Sequence, residues 1–210
     1  MTSMAILSVI KDIILVGVAI TGAIVAVKGL GTWQRQLKGQ SEYELSRRIL
    51  VSLFKYRDGI SGVRYPVMWA YEMPSPPVED AKSMSSQQIS FYGTSKAYQV
   101  RWDKVQEQRT ALYTDLLEAE AIWGNELNGL FKTIFELQHE LFTRIQHHLE
   151  LINPDTDEAM KEAVRKIDKE NRDIMYDCLK EEPDEYKSDL LDAIASIENY
   201  LKPKLSHEKV

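Results

Sequence analysis

The sequence has a single cysteine, Cys178, among 210 residues. That excludes an internal disulfide framework and suits a reducing compartment. It has no Asn-x-Ser/Thr acceptor, because Asn153 is followed by Pro154 and the other asparagines lack the hydroxyl residue. No Walker A, Gly-x-Ser-x-Gly or His-Glu-x-x-His pattern occurs, so the phosphate loop, the nucleophile elbow and the zincin helix are all without a sequence basis. No stretch alternates apolar and polar residues in the manner of a strand, and this predicts an all-α chain. Disorder is excluded by composition, since 44% of the residues are hydrophobic and 28% charged.

What the chain does have is Ile13 to Val27, IILVGVAITGAIVAV, without one charge. As a helix this run is about 22 Å long, short of a hydrocarbon core of about 30 Å. Extension to Trp33 supplies the length if Lys28 snorkels to the headgroups, and it places Trp33 at the interface. The reading is an anchor over residues 1–33, with a single transmembrane helix spanning about 13–33. A cleaved signal peptide would use Thr21-x-Ala23, but Ile24, Val25 and Val27 carry the apolar run past it. A buried core helix is the other alternative at this length. Lys28, Arg35 and Lys38, then Arg47 and Arg48, follow the run, and only Lys11 precedes it. The excess predicts a single-pass protein of the inner or plasma membrane, with its N-terminus outside and its C-terminal domain cytoplasmic.

Charge changes sign along the chain. Residues 28–64 carry eight basic and three acidic side chains, whereas residues 65–210 carry 17 basic and 28 acidic ones. Residues 34–65 form a basic juxtamembrane helix in this reading. Gly29, Gly31 and Gly39 permit a bend before it, Ser41-Glu42-Tyr43-Glu44 caps it, and Leu45, Ile49, Leu53, Tyr56, Ile60 and Val63 form its apolar stripe. Residues 66–95 read as a Pro/Ser-rich loop whose Met68, Trp69, Tyr71 and Met73 dock on a core, with residues 75–90 the more mobile part. Residues 96–210 form an acidic helical bundle domain. A long helix over 96–152 is kinked or broken near Gly124-Asn125, turns at Asn153-Pro154, and is followed by a helix to about Leu179 and a last one after Glu182-Pro183. The expected fold is an elongated antiparallel helical bundle or coiled-coil hairpin.

Short patterns that resemble chemistry lack their partners. Glu136-x-x-His139 has the spacing of di-iron bundles, but no second such pair occurs, and His147-His148 reads as a helix face. Tyr92-x-x-x-Lys96 has no nucleotide-binding turn before it, and Ser52-x-x-Lys55 stands without companion motifs. No catalytic, cofactor or metal residues are therefore assigned. Lys28, Trp33, Arg35, Lys38, Arg47 and Arg48 are the candidate membrane-interface residues, with anionic headgroups as their expected ligand. Nucleic acid is not expected, because no binding module is present and the rest of the chain is acidic. The span, then Trp33-Gln34-Arg35-Gln36-Leu37, then a helix with Arg47-Arg48, resembles uncharacterised single-pass bacterial membrane proteins with cytoplasmic helical domains. That resemblance implies an anchored helical domain and no activity. The expected function is non-enzymatic binding of other proteins, as a scaffold, adaptor or sensor, with self-association through Ala19/Ala23 or Gly22/Ala26 a further expectation. The alternatives are an oligomerising span that perturbs the bilayer and an enzyme with an unfamiliar helical site.

Overall fold

The computed structural model describes residues 2–177 and 184–205, with the side chains of these residues except 2–14 and 19. Cys178 and the expected break at Glu182-Pro183 fall outside the described residues. Among them the fold is all-α: α1 (Thr2–Arg64), α2 (Val78–Ala81), α3 (Ser86–Trp123), α4 (Glu126–Ile152), α5 (Glu158–Glu170) and α6 (Glu185–Leu205), with a 3-10 turn at Ala70–Glu72 and no strand. The chain forms two compact units, one holding α1 as far as Glu44 and the other running from Leu45 to Pro203.

The second unit is built on the predicted α1 stripe. Leu45, Ile49, Leu53, Tyr56, Ile60 and Val63 are all buried, because steps of three and four place them on one helix face. Facing them are Val105, Leu112 and Leu116 of α3, Phe131, Ile134 and Leu141 of α4, and Tyr186, Leu190, Ile194 and Ile197 of α6. Cross-contacts fix the directions. Arg48 reaches Asp115 while Gly59 lies against Val105, so α1 and α3 are antiparallel. Trp102 stacks on Phe142 at 4.8 Å and Gln88 reaches Asp155 at 2.9 Å, so α3 and α4 are antiparallel. The Tyr186 hydroxyl donates to the Leu137 carbonyl at 3.0 Å, and Tyr200 packs on Trp123 near the start of α4. Thus α1, α3, α4 and α6 run up, down, up and down, the simplest four-helix connectivity. α5 lies antiparallel beside α4, joined by Asp168 to Arg144 and by the His147–Asp168 pair.

Four expectations are corrected. First, α1 is not interrupted at Gly29, Gly31 or Gly39 and does not restart at Ser41; it is one helix of 63 residues. Glycine lowers helix propensity by about 1 kcal/mol without forcing a break. Glu44 pairs with Gln40 one turn back (3.1 Å), and at mid-helix no free amide needs Ser41. Second, the Gly124-Asn125 break is a chain reversal, not a kink in a long helix. Gly124 ends α3 with φ +79°, and its amide bonds the Glu120 carbonyl at 2.9 Å. Only glycine takes such a φ without steric cost. Third, α3 starts at Ser86, inside the stretch read as loop, because Ser85 and Gln88 form a capping box. Before it Trp69 (54% exposed) and Tyr71 (82%) face outward instead of docking on the core. Fourth, α5 stops at Glu170, well short of Leu179. Arg64 takes the Ile174 carbonyl at 2.8 Å and the Tyr176 carbonyl at 3.3 Å, and the Asp177 amide donates to the Arg64 carbonyl. These bonds occupy backbone groups that a longer α5 would use itself.

Candidate membrane interface and surface clefts

From Leu15 onward α1 is long and apolar enough to cross a bilayer, and none of its apolar window is buried. Leu15, Val16, Val18, Ile20, Ile24, Val25 and Val27 are all more than half exposed, which overturns the buried-core-helix alternative. Thr21 and Thr32 turn their hydroxyls onto the Gly17 and Lys28 carbonyls, at 2.8 and 3.0 Å. These polar groups are therefore satisfied within the helix, as a hydrocarbon environment requires.

Beyond Val27 the helix becomes two-faced. At roughly 100° per residue, Lys28, Arg35 and Lys38 fall within a sector of about 80°, and Leu30, Trp33 and Leu37 occupy the opposite side. Leu30, Trp33 and Leu37 are exposed, while Arg35 folds onto the Gly31 carbonyl (3.2 Å) and Lys38 lies 3.9 Å from Glu42. The other two candidates belong to the bundle unit. Arg47 is exposed. Arg48 is held between Asp115, at 3.1 Å, and Glu118, and these carboxylates keep its guanidinium more firmly charged than usual. Arg48 therefore joins α1 to α3, and its charge is already matched there.

The short patterns take up local roles. Glu136 pairs with Lys132 (3.6 Å), and the Ser52 hydroxyl faces Asp115 (3.5 Å). Lys96 sits over the Tyr92 ring at 5.8 Å. His148 is wedged edge-on against Tyr98 and Tyr176, with centroids at 5.7 and 6.3 Å. Burial, reinforced by Arg144, lowers its pKa. Among the described residues, no group of three or more His, Cys, Asp or Glu side chains could hold a metal ion.

Two clefts were not foreseen. One, of about 310 Å³, lies between α4 and α5 and is lined by His139, Glu140, Arg144, His147, Asp168 and Arg172. Its charges are spent on one another: Arg172 clamps Glu140 with two bonds of 2.8 Å and reaches Asp189 at 2.6 Å, and Asp168 bridges Arg144 and His147. The second is an open groove of about 670 Å³ where the end of α1, the following loop and α3 meet. It is organised by Arg101, 7% exposed, which donates to both Glu72 oxygens (2.8 and 2.9 Å) and to the Tyr65 and Val67 carbonyls (both 2.7 Å). The guanidinium holds the Glu72 carboxyl down to about 2, helped by the Trp69 amide. Neither clamp was legible, since Arg172 meets carboxylates distant in sequence and Arg101 meets carbonyls, which carry no sequence signature. Comparison of the chain with protein-family models, with curated proteins and with solved structures returns no match.

Proposed function

We propose that this chain is a membrane-anchored helical protein that works without catalysis, by binding other proteins as a scaffold, adaptor or sensor. The observation that carries the reading is the apolar run of α1, exposed on all its described faces with none of its window buried. A helix apolar all round and without a protein partner is stable in lipid, not in water. The two-faced continuation fits the headgroup layer. Lys28, Arg35 and Lys38 face anionic phosphates, each worth about 1 kcal/mol near the surface, and Trp33 lies at interfacial depth. The basic excess on this side makes the bundle cytoplasmic, in a single-pass protein of the inner or plasma membrane.

A non-catalytic role is supported by the cleft between α4 and α5, where Glu140, Arg144, His147, Asp168 and Arg172 are taken up in ion pairs. The test is alkaline carbonate extraction of membranes, with the intact mass of the recovered chain. Retention of the full-length chain in the pellet is expected. Complete release of the uncleaved chain overturns the anchor. A mature chain that begins after Ala23 makes the segment a leader instead, since a signal sequence has the same length and composition.

A further inference from the structure

The groove at the end of α1 has three features that the bundle itself does not need. The first is its aromatic wall. Tyr65, Trp69 and Tyr71 line it and are all more than half exposed. A solvent-facing cluster of this kind on a soluble unit marks an interaction site more often than it serves the fold. The second is rigidity. The loop that carries the rings is held by the four bonds of Arg101, and Trp69 is fixed again by its amide bond to Glu72, at 2.9 Å. A loop backbone held this way loses little freedom on binding. The third is the floor. Gly59 and Gly62 line the groove one helical turn apart on α1. Gly59 lies against Val105, which a Cβ would meet at 3.4 Å, whereas a Cβ on Gly62 would meet nothing within 4 Å. An alanine there would favour the helix, so nothing inside the chain asks for glycine. Its effect is to leave the groove deep beside the rings, where a ligand backbone approaches closely.

The walls choose the occupant. Lys55 and Asp58 stand on the α1 side, and Lys104, Glu107 and Gln108 on the α3 side. Arg101 is already neutralised by Glu72, so the rim carries two positive and two negative charges. Such a rim neither attracts a polyanion nor forms the long apolar trough that an amphipathic helix needs. It suits a segment with apolar rings on one side and unpaired carbonyls on the other. A polyproline II helix is that segment: its pyrrolidine rings dock between aromatic side chains, and its carbonyls, with no internal hydrogen bonds, accept from donors such as Lys55, Lys104 and Gln108. Glu107 makes no ion pair among the described residues and is placed to receive a basic side chain. Asp58 already holds Arg57 at 2.8 Å.

We infer that this groove is the docking site for an extended, proline-rich peptide segment of a partner protein that carries a basic residue. The inference rests on the protein-binding role proposed above and gives it a place and a partner class. The test uses the full chain in phosphatidylcholine nanodiscs and a dye-labelled polyproline peptide with one central arginine, followed by fluorescence anisotropy. An equally long Gly-Ser peptide with the same arginine is the comparison. Saturable binding of the polyproline probe alone is expected. Gly62→Leu, whose Cβ meets nothing within 4 Å in the chain and whose side chain adds bulk at the groove floor, and Trp69→Ala should each weaken it by about tenfold or more. Gly62→Ala should stay within about threefold of the parent. Circular dichroism melts of all three variants show that the bundle is intact. No saturable binding, or binding indifferent to Gly62→Leu, overturns the inference. So does quenching by brominated lipid that Trp69→Ala reduces, which makes the aromatic wall a bilayer contact. Carbonate retention measured on the same membranes separates the two readings: an anchored chain that ignores the peptide loses the groove alone, and one released intact loses the anchor.

Discussion

His148 sits where acid is felt first. Its ring is packed against Tyr98 and Tyr176, whose hydroxyls are 3.4 Å apart. Burial and the nearby Arg144 disfavour its protonated form, opposed by the smaller attraction of Asp168. A histidine whose pKa is lower in the folded state than the ordinary 6.5 is protonated more readily when unfolded. Its contribution to stability is therefore complete above about pH 6.5 and is lost as pH falls through the folded-state value. Glu72 adds a second, more acidic step. Held down to about 2 by Arg101, it stabilises the aromatic loop fully above its ordinary 4.5 and loses that contribution as pH falls toward 2. Melting temperature should thus fall in two stages on acidification. His148→Phe should flatten the stage near neutrality and leave the one below about pH 4.5 in place. Thermal melts of both proteins from about pH 8 to about pH 3 check this, and parallel curves above about pH 5 would refute the first stage. At this scale the sequence was informative wherever spacing along one helix decides burial, as it does for Leu45, Ile49 and Leu53. It was silent on Arg64 and Arg101, since their main partners are carbonyls or carboxylates distant in sequence.

Between α3 and α4 the chain turns on Gly124 and Asn125, and the turn decides the topology. With φ at +79° and ψ at −164°, Gly124 occupies a region that is costly for any residue with a Cβ. Gly124→Ala has open space around the new carbon. Its cost, about 1–3 kcal/mol, is therefore backbone strain without packing loss. Chemical denaturation in detergent should show a lower midpoint at unchanged slope, since the surface exposed on unfolding stays the same. An unaffected midpoint would mean that the turn takes another conformation. The sequence pointed to a break here, but glycine and asparagine in a helical run are equally a kink and a reversal. Only the pairing of Trp102 with Phe142 and of Gln88 with Asp155 tells them apart. The start of α3 was missed for a related reason. The composition of residues 83–90 reads as loop, although Ser85 and Gln88 had the capping-box spacing in plain view. α1 erred the other way, since the capping-box pattern of Ser41 and Glu44 stands inside a helix that never stopped.

For the whole molecule, the uneven charge has two separable consequences. Part of the basic stretch is matched inside the bundle, where Arg48 meets Asp115 and Glu118, and Arg64 meets Asp184. These pairs take up three carboxylates of the acidic remainder of the chain. Lys28, Arg35 and Lys38 belong to the other unit, and the only ion pair described for them is the long Lys38–Glu42 contact. Topology depends on Lys and Arg near the ends of a span, and acidic residues contribute little. These three, more than the negative net charge of −6, should therefore set the orientation. Replacing all three by glutamine leaves Arg47 and Arg48 as the nearest basic residues and brings the two flanks closer to balance, with Lys11 on the other side. A reporter cysteine at exposed Lys82, in a Cys178→Ser background, reads the outcome by labelling with a membrane-impermeant maleimide. The parent arrangement should label only after permeabilisation, and the triple glutamine variant should label in part on intact cells. Labelling of the parent on intact cells would place the bundle outside. An unchanged pattern in the triple variant would assign the bias to Arg47 and Arg48, and Arg48 would then act on insertion before it is captured by α3.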